Sequence, residues 1–317
     1  MKTRKIFRHK IVTACAAAVL ALAIYPGQTY AQTGSEALPH VRVTHDPRAA
    51  AMGGAGVVSA SLAWASFSNA AAIPYSGQTM DVAASYHNWQ PDAAATSFIS
   101  AAGAWNIKGK VGLALGFSWG ANPEYESFNG YGESEGMFSP SDMQVNFGIG
   151  WRFLPYLSAG ANVKYVRSSL AEGHAYGAVA SDLFLMSEVS DFRMALGVSS
   201  LGSKVTSASG DKFGLPASVT LGAGYGHTFA QKHGVEILAE ADWYFSGALS
   251  ANAGAEYTFN DLVSVRAGYR YGGKSVIPSY ASVGAGVKFF GVHLDAAFLI
   301  ASGPLKNTFC IGAGYSF

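Results

Sequence analysis

The chain has 317 residues, of which 50% are hydrophobic and only 13% are charged, and it contains 38 Gly, 19 Phe and 16 Tyr. Its net charge of +1 excludes the basic surface on which nucleic-acid binding depends, so we predict no nucleic-acid partner. Beyond the N-terminal region no stretch has the roughly 20 consecutive apolar residues of a membrane-spanning helix, whereas a charge-poor chain rich in glycine and aromatic residues is typical of a β-barrel that faces lipid.

The N-terminus has the three parts of a secretory signal peptide. A basic start is followed by an apolar run over 11–25 and by the small-residue end Thr29–Ala31. The apolar run is too short to cross a bilayer comfortably, which disfavours a membrane anchor. We therefore predict a signal peptide over 1–31, and a mature chain whose single cysteine, Cys310, excludes an internal disulfide.

The next segment, 32–77, does not alternate between apolar and polar residues. It contains an alanine- and glycine-rich run over 48–56. Because it has no stripe that could face lipid, we predict that it lies inside the barrel as a plug or hatch. The alternative is a flexible periplasmic leader. The residues that define the predicted plug motif are Arg48, Met52, Gly53, Gly54 and Asn69.

From residue 78 onward the sequence alternates with a period of two. A membrane-spanning strand shows apolar residues to lipid and small or polar residues to the lumen over about ten residues. In 143–153, for example, Val145 and Phe147 alternate with Asn146 and Gly148. About fourteen such segments occur, and an even number is what a single-chain bacterial barrel needs. They are 78–88, 95–107, 110–120, 141–153, 156–169, 174–187, 191–200, 216–229, 234–246, 249–259, 262–271, 280–289, 292–300 and 307–317.

The connections between these segments also fit a barrel, in which short periplasmic turns alternate with longer extracellular loops. The predicted tight turns are Lys108–Gly109, Leu154–Pro155, Asn260–Asp261 and Phe290–Gly291, and the predicted loops are 121–140, 201–215, 272–279 and 301–306. The connection after Phe245 departs from this rule because it is short on the loop side. The predicted fold class is an all-β transmembrane antiparallel barrel of about 14 strands over 78–317, with an N-terminal plug.

Charged residues occupy positions of the later strands that alternation assigns to the lumen. They could form a polar conduit or a ligand site. We favour the other interpretation, in which opposite charges brace neighbouring strands and stay away from lipid. The residues are Glu236, Glu240, Asp242, Glu256, Arg266, Arg270, Lys288 and Asp295.

Motifs of catalysis and metal binding are weak in this sequence. Its histidines lack metal-ligand spacing, and it has no G-x-S-x-G turn. His174, Ser181 and Asp182 are close in sequence, but one strand segment is poor evidence for a hydrolase. We predict no enzymatic activity, no metal and no cofactor. The loop 121–140 mixes acidic and aromatic residues, which suits either a partner surface or an ordinary solvated loop.

The run Asp46–Val57 resembles the N-terminal run of the PorV/PorQ family of outer-membrane proteins from Bacteroidota. That family looks like fourteen-stranded relatives of the long-chain fatty-acid (FadL-type) transporters. In 69–73 the chain lacks the proline of the family's Asn-Pro-Ala-Gly. Further similar segments, in the family's order, are Phe138–Asp142, Gly160–Lys164, Ala180–Leu183, Leu215–Pro216, Glu256–Tyr257 and Arg266–Arg270.

The resemblance implies an outer-membrane barrel in contact with lipid, and it suggests two functions. The first is a scaffold that binds secreted cargo proteins, or other components of a type IX secretion system, at the cell surface. The alternative is a FadL-like transporter of small hydrophobic molecules. A structural barrel or general pore is a third, plainer hypothesis.

Overall fold

The structure is a computed structural model that describes residues 36–317 except 60, 129, 208 and 273–276. The predicted signal peptide and its cleavage site lie outside the described residues. None of the helices in the described part of the chain is long and apolar enough to cross a membrane.

Fourteen antiparallel strands form a closed barrel, in which each strand pairs with its sequence neighbours and the first pairs with the last. The predicted fold class is therefore confirmed, and each predicted segment overlaps one strand. The strands are β1 (Met80–Trp89), β2 (Thr96–Ile107), β3 (Val111–Ala121), β4 (Ser141–Leu154), β5 (Leu157–Ala171), β6 (His174–Val189), β7 (Phe192–Gly202), β8 (Ser218–Phe229), β9 (His233–Tyr244), β10 (Leu249–Phe259), β11 (Val263–Gly272), β12 (Tyr280–Phe289), β13 (Val292–Ile300) and β14 (Phe309–Ser316).

The outer face of the barrel is apolar and the inner face is small or polar. In β4, Val145, Phe147 and Ile149 are exposed, whereas Asn146 and Gly148 are buried. Large apolar side chains such as Ile99, which is 62% exposed, surround the wall. An apolar outer face of this kind is typical of a barrel that faces lipid, and closure of the barrel leaves no strand edge unpaired.

Connections at the end that carries both barrel termini are short, so we call it the periplasmic end. The turns Lys108–Gly109 and Asn260–Asp261 have positive φ at both residues, as two-residue hairpins require. The predicted turn at Leu154–Pro155 is displaced by one residue, because β4 continues through Leu154. On the extracellular side the connections over 172–173 and 245–248 are short exceptions.

The two longest extracellular loops contain hairpins that the sequence did not reveal. In the first, Tyr125–Phe128 pairs with Ser134–Phe138, and in the second, Val205–Thr206 pairs with Lys212–Phe213.

The segment 36–77, which we call the plug segment, packs against the inner wall. It contains one short α-helix, α1 (Pro47–Ala51), and 3-10 turns at Pro39–Arg42, Ala63–Ser66 and Ala70–Tyr75. The carboxylate of Asp46 caps α1 by accepting from the Arg48 N–H at 2.9 Å. The side chain of Asn69 caps the Ala70–Tyr75 turn by accepting from the Ala71 N–H, also at 2.9 Å.

Candidate functional site

Glycines on the inner wall make room for the plug segment at the periplasmic end. A Cβ atom on Gly150 would lie 2.1 Å from the Ala70 carbonyl oxygen, and one on Gly160 would lie 2.2 Å from the Ala71 nitrogen. The Ser158 hydroxyl also donates to the Ala71 carbonyl at 2.7 Å. Glycine at these wall positions is therefore required for the Ala70–Tyr75 turn to seat against β4 and β5.

A second set of close contacts holds the predicted motif residues Met52 and Gly53. A Cβ on Gly268 would lie 2.2 Å from the Gly53 nitrogen, and one on Gly53, whose φ is +73°, would lie 2.6 Å from the Tyr269 carbonyl oxygen. The Gly53 N–H donates to the Ser282 hydroxyl at 2.9 Å. The backbone of the plug segment thus approaches the wall so closely that both partners have to be glycine.

Arg48 anchors the middle of the plug segment through its side chain. Its guanidinium binds Glu256 in a bidentate manner, with Nε to Oε2 at 2.8 Å and Nη2 to Oε1 at 2.7 Å. It also donates to Glu236 and, at 3.1 Å, to the Ser59 hydroxyl. Such paired, charge-assisted hydrogen bonds are the strongest class available to a buried ion pair.

The ion pairs continue along the wall from both carboxylates. Arg193 donates to Glu236, and Arg266 donates to Glu256. The Arg266 Nη1 atom lies 2.5 Å from Asp295 Oδ1, and His293 links Asp295 to Asp81 on β1 at 3.3 and 3.0 Å. Each buried charge in this network has an opposite charge beside it, which offsets the cost of removing it from water.

The other predicted lumen residues lie elsewhere. Glu240 accepts the N–H groups of Gly56 and Val57 at 2.9 and 2.8 Å, and Asp242 accepts the Thr220 hydroxyl at 2.8 Å. Lys288 is exposed at the periplasmic end of β12 and is not part of the Arg48 network. Alternation indicates which face a residue occupies but not its depth, so it did not separate Lys288 from the rest.

Residues 36–45 of the plug segment, which we call the strap, cross the lumen at its extracellular end. The Ala37 N–H donates to the Gly214 carbonyl at 2.8 Å, and His40 Nδ1 lies 3.2 Å from Asp142 Oδ1. Arg42 pairs with Glu36 and stacks on the Tyr244 ring with its Cζ atom 4.4 Å from the centroid. The strap therefore contacts the wall on several sides, and its Leu38 and Val43 pack in two hydrophobic clusters with wall residues.

His45, the last residue of the strap, lies among aromatic rings and a serine hydroxyl. Its Nδ1 lies 3.0 Å from the Ser100 hydroxyl, and its ring packs against Phe67 and Phe98 with centroid distances of 4.8 and 5.7 Å. Burial lowers the pKa of His45 to about 3, so the imidazole is neutral at ordinary pH.

Above the strap lies a vestibule of about 1170 Å³ that reaches the extracellular loops. Its lining is mostly apolar and includes aromatic and proline side chains, together with charged residues such as Glu36, Arg42 and Asp142, and Leu38 and Val43 of the strap close it from below. The aromatic and proline residues are Trp89, Phe98, Tyr125, Tyr176, Phe213, Pro39, Pro123, Pro140 and Pro278.

Below the strap lies an inner pocket of about 160 Å³, and Arg42 and Val43 line both cavities. Like the vestibule, the inner pocket contains ionisable side chains, and they form a larger share of its lining. They are Arg42, His45, Asp46, Lys164, Asp182, Glu240, Asp242, Tyr244 and Arg270.

The inner pocket reaches the wall at a bulge between β6 and β7. Ser181 pairs with Leu201 and Leu183 pairs with Val198, so Asp182 stands opposite two residues of β7, one of which is Ser200 with a φ of +56°. The Asp182 carboxylate accepts the Ser200 N–H at 2.7 Å and pairs with Lys164 Nζ at 2.9 Å. Sequence reasoning missed this site, although the polar residues at these positions were a usable signal.

The barrel is similar in architecture to several solved structures. The toluene transporter TbuX of Ralstonia pickettii superposes with a TM-score of 0.58 and 14% identity over 86% of this chain and 98% of that chain. The toluene transporter TodX of P. putida gives 0.60 and 13% over 85% and 97%. A Pseudomonas aeruginosa FadL homologue gives 0.50 and 12% over 87% and 99%.

This chain shares the fold of those transporters. At 12–14% identity the similarity establishes the barrel architecture and no more. No family model matches the chain, and no curated protein sequence matches it either. The PorV/PorQ resemblance and the Bacteroidota origin therefore stay predictions.

Proposed function

We propose that this protein resides in the outer membrane of a Gram-negative bacterium and admits small hydrophobic molecules through its extracellular vestibule. The observation that carries the proposal is the apolar vestibule directly above the strap. Similar barrels include a toluene transporter in each of two species, and this favours transport over secretion as the function of the present chain.

The vestibule suits a hydrophobic ligand because it offers aromatic surface in a concave site. Burying apolar ligand surface contributes about 25 cal/mol per Å², so roughly 150 Å² of contact gives about 4 kcal/mol. Phe98 and Trp89 provide flat rings at the base of the cavity. Its volume accommodates molecules larger than a single aromatic ring.

The contacts of the plug segment suggest the route beyond the vestibule. From residue 47 onward the plug segment is held by close contacts with wall glycines and by the ion pairs of Arg48, so a straight path to the periplasmic end is closed. The strap has no such glycine contacts and is the part that can move. From the inner pocket the interrupted pairing at Asp182 and Ser200 is the nearest wall defect, so we propose that it is the exit.

Transport is tested by measuring the uptake of radiolabelled naphthalene and oleate in wild-type and gene-deletion strains. We expect the deletion to slow the uptake of at least one probe, with plasmid complementation restoring it. Equal uptake of both probes would count against the proposal. Single-channel conductance distinguishes the transporter from a general pore, because a plugged barrel should conduct little and an open pore should conduct well.

A scaffold for secreted proteins is the second candidate, and the first extracellular hairpin is the observation that favours it. Phe128 and Met137 are 57% and 63% exposed beside Glu124 and Glu126. Such a surface could hold a protein partner. Deleting the gene and quantifying released surface proteins tests this function, and unchanged release would remove it.

A further inference from the structure

The inner pocket below the strap contains buried nitrogen atoms that have no hydrogen-bond partner within the described residues. They belong to three lining side chains: Nε of Arg42, Nε2 of His45 and Nε of Arg270. His45 and Arg270 are only 3% and 4% exposed. Buried polar groups in folded proteins are normally paired, so three unpaired nitrogens around one pocket indicate a polar ligand group.

The charges around the pocket argue against an ionic ligand group. Three cations, Arg42, Lys164 and Arg270, stand against the four carboxylates Asp46, Asp182, Glu240 and Asp242. Lys164 is already paired with Asp182, and Arg42 with Glu36. A ligand carboxylate would lie beside Glu240 and Asp242, whose like charge disfavours it. A ligand cation offers only hydrogen-bond donors, so it cannot satisfy the unpaired Nε–H groups of Arg42 and Arg270.

A hydroxyl group fits both kinds of neighbour. It accepts a hydrogen bond from an arginine N–H and donates its own proton to a carboxylate or to a neutral imidazole nitrogen. The pocket of about 160 Å³ also has room for the ring or short chain that carries the hydroxyl.

We propose that the inner pocket selects hydroxylated hydrophobic molecules, such as phenols and alcohols, over hydrocarbons and carboxylates of the same size. This inference rests on the proposed transport function and specifies its substrate class. Arg42 and His45 belong to the strap, so binding of the hydroxyl would couple to the segment that separates the two cavities.

The test is calorimetric titration of the purified full-length protein in detergent at pH 7 with naphthalene, 2-naphthol and 2-naphthoate. We expect 2-naphthol to bind at least tenfold more tightly than either of the others, although it is less hydrophobic than naphthalene. R42M and, separately, H45F should reduce this preference to threefold or less, mainly by weakening the binding of 2-naphthol. The phenyl ring of H45F keeps the packing of the imidazole, so this variant guards against misfolding of R42M.

The matched control is R167M, because Arg167 lies on the lipid-facing side of β5, outside the pocket. Its preference for 2-naphthol should equal that of the wild type. Equal binding of naphthalene and 2-naphthol would overturn the hydroxyl site and leave hydrophobic transport standing. Tightest binding of 2-naphthoate would overturn it in favour of an anion site. Absence of binding by all three probes would overturn both the site and the transport function.

Discussion

Gly160 on β5 provides the sharpest test of how the plug segment is held. In Gly160→Ala the new Cβ would lie 2.2 Å from the Ala71 nitrogen where ordinary contact begins at 3.4 Å, so the Ala70–Tyr75 turn has to retreat by about 1.2 Å. Overpacking of this kind costs about 1–3 kcal/mol. The retreat also stretches the 2.7 Å bond from the Ser158 hydroxyl to Ala71, which is worth about another 1 kcal/mol.

Single-channel recording in planar bilayers is the assay for this variant. We expect Gly160→Ala to conduct more and to fluctuate more between levels than the wild type, because the periplasmic end is no longer sealed. The matched control is Gly234→Ala on β9, where the nearest atom to a new Cβ is 3.5 Å away. If both variants conduct like the wild type, the glycine contacts do not hold the plug segment and the reasoning is wrong.

Three further predictions concern the plug segment and the vestibule. Arg48→Met should lower the free energy of unfolding by about 2–4 kcal/mol, because Glu236 would keep only Arg193 and Glu256 only Arg266 as a cationic partner. A thermal midpoint within 1 °C of wild type would contradict this. The pKa of His45 is lowered by burial to about 3, so the contribution of His45 to stability should be constant above pH 6.5 and fall by about 1.4 kcal/mol per pH unit below it, as the unfolded state gains the proton. The loss of stability between pH 7 and 5, measured by melting, should therefore be smaller in His45→Gln than in the wild type, and an equal loss in both would contradict this. Phe98→Ala should weaken naphthalene binding about tenfold in calorimetry by removing a buried ring from the vestibule, whereas Ile99→Ala, on the lipid face of the same strand, should not; equal losses would point to a general effect on β2.

The barrel could be predicted from sequence because the size and polarity of each strand residue indicate whether it lies on the outer or the inner face. Phe147 is large and exposed on the outer face whereas Gly148 is small and buried on the inner face, and this alternation is visible without any distant partner. The hairpin at Lys108–Gly109 is equally local.

The candidate site could not be predicted in the same way, because its side chains contact residues that are far away in the sequence. The same alternation placed Glu236 and Glu256 in the lumen, yet their partner Arg48 lies 188 and 208 residues away in the chain. The bulge at Asp182 arises from how two strands pair and not from either strand alone. The short helix α1 begins at Pro47 after the capping Asp46, but it is too short for periodicity to reveal.

We infer that hydrophobic molecules pass only when the strap moves, and a disulfide between the strap and the second long extracellular loop would hold the strap in place. Glu36 forms a parallel bridge with Gly214, and strands at that spacing lie about 5 Å apart, within reach of a disulfide. In cells expressing Glu36→Cys/Gly214→Cys, we predict that labelled naphthalene uptake is blocked under oxidising conditions and returns on reduction. Thr206→Cys/Lys212→Cys, which joins two paired and exposed residues of the neighbouring hairpin outside the vestibule lining, should leave uptake unchanged in both states. Full uptake through the oxidised Glu36→Cys/Gly214→Cys protein would contradict the claim.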